Sequence, residues 1–236
     1  MLQKIKLICI PYAGGNSYSF RDLKPLLDRH IEMVTLELPG RGKRIAEPLL
    51  SDMQVMADDL YGQLLSHIKS PYIIYSHSMG AVLGNLLIHR LKQEWKQLPL
   101  HFFVTGCAAP MFNDQRRQLH LLRDIQLIAE LKRMGGMPDA LLADPDLVEF
   151  FLPVIREDMK ALECYQYQPL GSYSTGITII TGAAEEITAS QVTGWARETE
   201  KELRILRYPG NHFFILHQFQ KIAMLIHDVA LTPQHS

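Results

Sequence analysis

What the 236 residues do not contain narrows the field first. No apolar run approaches the roughly 18 residues expected of a membrane-spanning helix. The amino-terminal stretch MLQKIKLICIPYAGG is interrupted by Lys4 and Lys6 and stopped by Pro11, so it does not read as a signal peptide, and a soluble, cytoplasmic protein is expected. Charge of either sign is not in excess. The 24 basic residues face 25 acidic ones, a formal net charge of −1, which gives no global attraction for nucleic acid or an anionic membrane. Cysteine is scarce: Cys9, Cys107 and Cys164 are odd in number and have no metal-like spacing, which points to reduced thiols. No internal repeat is present, and only the terminal TPQHS reads as a disordered tail.

What is present is alternation. Short apolar runs at 5–10, 32–38, 72–75, 101–106, 176–182 and 202–208 are separated by segments of helical spacing, as in Met53, Met56, Ala57, Leu60 and Leu64. Strands separated by helices predict an α/β protein with a mainly parallel sheet covered on both faces. Residues 111–165 break the pattern with helix-like segments only, which predicts a helical subdomain inserted in a core formed by 1–110 and 166–236. Within it, MGGMPDALLADPD reads as a hinge or loop between two helical pieces. In parallel sheets ligands sit at the carboxyl ends of the strands, so the turns after these runs are where chemistry is sought.

The run YIIY leads into SHSMG and then into the helical GAVLGNLLIHRL. A strand, a tight turn of small residues and a helix lift the Ser78 hydroxyl above the sheet edge. Gly80 follows the serine at the required spacing, but Ser76 stands where glycine is usual. A serine needs a general base, and imidazole is the usual one. Of the ten histidines, His67 and His89 fall in helical patterns, His101 starts a strand, His217 lies within the last helix and His235 is in the tail. His77 is read as packing, turned away from the serine. His212, in the YPGNHFF loop after the last strand, lies at the same sheet edge as Ser78.

The acid that would hold the imidazole is sought in TGAAEEITASQ, which lacks aspartate. Glu185 is preferred and Glu186 is the alternative, with Asp158 of the helical insert more distant. An oxyanion would need donors, for which the backbone N–H groups of Met79 and Ala13, the latter in the PYAGG turn, are placed. That turn lacks the Lys-Ser/Thr of a phosphate-binding loop.

With these elements in order, the chain resembles the α/β-hydrolases and, more narrowly, the stand-alone type II thioesterases of nonribosomal peptide and polyketide synthases. The segments that carry the likeness are PYAGG, LELPGRGKR, SHSMGA, ELKRMGGMP, LPVIREDMKALECYQY, ITIITG and GNHFF. The resemblance implies Ser78 as nucleophile, His212 as base, Ala13 and Met79 as oxyanion donors, and 111–165 as a mobile lid. It implies acyl or peptidyl carrier proteins as partners, a phosphopantetheine-borne substrate and no metal or dissociable cofactor; a monomer is expected. The family usually has Gly at position 76 and Asp at the position of Glu185. Arg41 and Arg44 are read as structural or lid-contacting, and Lys and Arg near KRMGG or DQRRQ as a carrier-protein surface. A general carboxylesterase or lipase of the same fold, and a binding protein on an inactive scaffold, are the rival readings.

Overall fold

The computed structural model describes residues 4–112, 118–137 and 143–231. Six strands, β1 (Ile5–Ile10), β2 (Ile31–Thr35), β3 (Tyr72–His77), β4 (His101–Thr105), β5 (Gly176–Gly182) and β6 (Leu203–Tyr208), form one sheet in the order β2-β1-β3-β4-β5-β6. Every pair is parallel. The apolar runs therefore mark the strands, with two shifts. β3 continues two residues beyond YIIY because Ser76 and His77, although polar, are wholly buried in mid-sheet. The run 32–38 leaves the ladder after Thr35, where Leu36 N–H makes a last bond to Cys9.

Helices cover both faces. On one side α1 (Met53–Leu65) and α2 (Met79–Gln93) bury Met56, Leu60, Leu83 and Leu87 against Ile8, Ile74 and Val104. On the other, α6 (Ile215–Leu231) packs Phe219, Ile222 and Ile226 against Leu7, Ile73 and Phe103. Sequence chemistry sets the helix ends. The Asp52 carboxylate accepts from the N–H groups of Gln54 and Val55 to start α1. α1 stops at Leu65, so His67, read from the sequence as helical, falls in the turn that follows. α2 is pinned at mid-length by the buried Glu198, which accepts from His89 at 2.7 Å and Asn85 at 3.0 Å.

Between β4 and β5 the described residues contain α3 (Asp124–Met134) and α4 (Pro145–Cys164), with a short helix, α5 (Ala189–Thr193), after β5. Leu127 and Leu131 of α3 meet Leu152 and Ile155 of α4 in a small core of their own. Pro153 sits inside α4 and removes one helical donor. Before it Leu147 and Phe150 are exposed; after it Val154, Ile155, Asp158 and Ala161 are buried. The DQRR of 114–117, residues 138–142 of the expected hinge and the TPQHS tail lie outside the described residues. Among the described residues, no helix is long and apolar enough to cross a membrane.

Candidate active site

Five loops meet at the carboxyl edge of the sheet, following β1, β3, β4, β5 and β6, and they carry Ala13, Ser78, Gly106, Glu185 and His212 respectively. Ser78 sits between β3 and α2 with φ 55° and ψ −124°, a conformation that costs a non-glycine residue about 1–3 kcal/mol. The surroundings hold it there. Ser78 N–H donates to the Thr105 carbonyl at 2.9 Å, and α2 begins at the next residue. Gly80 is required by close approach: a Cβ on it would lie 2.2 Å from the Ile10 carbonyl oxygen and 2.6 Å from that of Pro11. Position 76 has no such constraint. The Ser76 hydroxyl points along the sheet and donates to the Phe103 carbonyl at 3.2 Å, so the departure from glycine is accommodated by one hydrogen bond.

His212 Nε2 lies 3.0 Å from Ser78 Oγ, and its Nδ1 lies 2.7 Å from Glu185 Oε1. A carboxylate only accepts, so Nδ1 carries the proton and Nε2 is free to accept from the serine hydroxyl. The second Glu185 oxygen accepts from Gly182 N–H at 2.6 Å. This fold-back onto its own strand end takes up the extra methylene relative to aspartate. Of the two candidate glutamates, then, Glu185 is buried against His212, whereas Glu186 is 74% exposed and faces Arg133 at 3.5 Å.

Asp158, the distant acid candidate, is elsewhere. Its oxygens accept from Arg41 at 2.5 and 2.8 Å, and one of them also accepts from Gly14 N–H at 2.7 Å. Both members of this pair are buried. They tie α4 to the loop after β2 and to the loop carrying Ala13, which gives Arg41 a structural role. Arg44 pairs with Glu47 and Asp59, also structurally. The buried Glu37 accepts from Ser17 N–H at 2.7 Å and Lys43 N–H at 2.8 Å, joining the same two loops. Glu37 is marked in the sequence only as a carboxylate inside the otherwise apolar LEL, too little to single it out. Removal of one partner from a buried ion pair leaves an uncompensated charge. Asp158→Ala is therefore expected to lower the unfolding free energy by about 3–5 kcal/mol, seen as a lower denaturant midpoint, and Arg41→Met added to it should restore part of the loss.

Among the described residues, the N–H groups of Ala13 and Met79 have no hydrogen-bond acceptor. Met79 N–H is at the positive end of α2, where partial charge favours an anion. Ser78, Glu185 and His212 open on a cleft of about 440 Å³ with Val82, Phe112, Leu119, Met134, Met159 and Leu162 in its walls. Cys107, also in that wall, has its thiol pushed up to about 12 by burial and then by Glu185, which keeps it protonated and unreactive. His217 is exposed on α6. A second hollow of about 550 Å³ lies at the opposite, amino edge of the sheet, around His101 and Gly176. No group of three or more His, Cys, Asp or Glu among the described residues is arranged to hold a metal ion.

The chain is similar to known proteins over nearly its whole length. Residues 5–229 match the thioesterase domain. The gramicidin S biosynthesis protein GrsT of Aneurinibacillus migulanus is 32% identical over 213 residues, covering 90% of this chain and 83% of that protein. The crystal structure of ClbQ from the colibactin NRPS/PKS pathway superposes with a TM-score of 0.90 at 27% identity, over 96% of this chain and 97% of that one. BorB, a type II thioesterase from the borrelidin biosynthetic cluster, does so with a TM-score of 0.89 at 29% identity, over 96% and 93%. With an α/β-hydrolase sheet, a family match over almost its full length and a relative of this similarity, the chain belongs to the thioesterase family, hydrolases that act on thioesters.

Proposed function

We propose that this thioesterase removes acyl groups from the phosphopantetheine arms of acyl or peptidyl carrier proteins in a nonribosomal peptide or polyketide assembly line. The observation that carries the reading is the hydrogen-bonded run from Glu185 through His212 to Ser78 in a cleft walled in part by Val82, Met134, Met159 and Leu162. The assembly-line context is supported by the names of GrsT, ClbQ and BorB.

Ser78 Oγ attacks the thioester carbonyl as its proton passes to His212 Nε2. The carbonyl oxygen takes up negative charge against the Ala13 and Met79 N–H groups. The C–S bond breaks, the thiol of the arm leaves with the proton from His212, and an acyl-serine remains. Water then attacks that ester with His212 again as base, and the free acid and Ser78 are regenerated. Glu185 holds the imidazole tautomer and offsets the imidazolium charge. The chemistry calls on no metal and no dissociable cofactor. Residues 111–165 act as the lid over the acyl channel, with 1–110 and 166–236 as the hydrolase core, in a cytoplasmic monomer. Lys132 and Arg133, exposed on α3 beside the cleft, are the described part of the carrier-facing basic surface.

The test is a comparison of substrates. Acetyl- or acyl-loaded carrier protein should be hydrolysed with a kcat/KM at least about tenfold above that for p-nitrophenyl esters. Equal or better turnover of the free esters would make the protein a general carboxylesterase. No turnover of either, with no labelling by a fluorophosphonate, would make it a binding protein.

A further inference from the structure

His77, next to the serine, is wholly buried. Its Nδ1 lies 3.0 Å from the Thr105 carbonyl oxygen and 3.1 Å from Thr105 Oγ1. That hydroxyl already donates to the Ser76 carbonyl at 2.8 Å, so both Thr105 oxygens accept and Nδ1 carries the proton. Nε2 is left as a lone pair, buried and without a hydrogen-bond partner. An apolar side chain would fill this space without that desolvation cost. The cost is borne where the ring meets His212: the two centroids are 4.8 Å apart and the planes 36° apart. Tyr12 at 5.6 Å and Phe213 at 5.5 Å press edge-on from the sides. Gly106 lies against the ring: a Cβ there would stand 2.6 Å from His77 Cε1 and 3.2 Å from Glu185 Oε1, so only glycine lets the ring and the carboxylate sit this close to the loop after β4.

We infer that His77 is a positioning residue: anchored through Nδ1–H to Thr105, its ring is the platform that fixes the plane of His212 in which Nδ1 meets Glu185 and Nε2 meets Ser78. This rests on the serine mechanism proposed above. The platform has to be neutral, because a cation at this distance would oppose the imidazolium that forms when His212 takes the serine proton. Burial first, and then His212, hold the His77 pKa well below the usual imidazole range, against the opposing Thr105 carbonyl. The ionisable groups facing it are Tyr12 from the loop after β1, Glu185 beyond Gly106 and His212 itself.

Two variants separate platform from packing. His77→Asn keeps an N–H donor near the Nδ1 position but removes the ring; His77→Phe keeps a ring but not the donor. His77→Asn should lower kcat by about 10–100-fold at unchanged KM, with fluorophosphonate labelling of Ser78 slowed by the same factor, and His77→Phe should lose less. A His77→Asn enzyme within twofold of wild type, a change in KM alone, or equal losses in both variants would overturn the inference. In the wild-type protein, ¹⁵N imidazole shifts should report the Nδ1–H tautomer of His77 from about pH 5 to about pH 9, and a ring that titrates in that range would overturn it as well. Turnover that survives Ser78→Ala defeats the serine mechanism, whereas Ser78-dependent turnover left unchanged by His77→Asn defeats only the platform.

Discussion

Ser78→Ala should reduce kcat on an acyl thioester by about 10⁵–10⁶-fold, with folding unaffected. The loss is large because one atom is both the nucleophile and the site of the covalent intermediate, so no acyl-enzyme can form. What survives is attack by water with the cleft, the α2 amino end and the Ala13 loop still in place, which retains about 10³–10⁴ over the uncatalysed rate. Stability should hardly change, since alanine meets the same backbone strain at φ 55° and the Ser78 side chain caps no helix N–H. Thiol release followed with a chromogenic reagent, alongside a thermal melt, checks both halves. Undiminished turnover would remove Ser78 from the mechanism.

The second large effect is Glu185→Gln, expected to cost about 10⁴-fold in kcat. The reason lies in the two bonds of the carboxylate. One oxygen accepts from Gly182 N–H and the other from His212 Nδ1–H, so the site presents two donors to an all-acceptor group. An amide has one oxygen. If that oxygen stays on Gly182, its NH₂ faces Nδ1 and imposes the tautomer in which Nε2 carries the proton and cannot accept from Ser78. If it turns to His212, the NH₂ collides electrostatically with Gly182 N–H. Glu186→Gln should leave kcat within about twofold, as expected for an exposed surface carboxylate. Steady-state kinetics on the two variants side by side decide the matter, and the reverse ranking would move the acid by one residue.

The strands, the inserted helices and the order of the site residues were legible in the sequence because they depend on local pattern: apolar runs of strand length, helical spacing, and a small-residue turn between a strand and a helix. Ser78 was suggested by its small-residue turn between strand and helix, and His212 by its loop at the same sheet edge, since loops at one end of parallel strands converge. Glu185 was preferred over Glu186 for its place three residues after Gly182, but that spacing gave no ground for excluding its neighbour. The choice depends on how the loop folds back on Gly182. The Arg41–Asp158 pair was also out of reach, because its partners are 117 residues apart and a sequence does not say which buried charges meet. Asp158 could be entertained as a catalytic acid only because its true partner was unknown. The extension of β3 through Ser76 and His77 was missed for a related reason: polar residues read as a turn until the neighbouring strand is seen to supply their hydrogen bonds.

The two small residues that bracket Ser78 turn out to be unequal. At Gly80 the carbonyls of Ile10 and Pro11 leave no space for even a methyl group, whereas at position 76 a hydroxymethyl group fits and bonds to β4. The usual signature for such turns demands glycine on both sides. A search built on it would pass over this chain and any relative that made the same exchange, so the informative pattern is one-sided: any side chain small enough to lie along the sheet before the serine, and glycine alone after it.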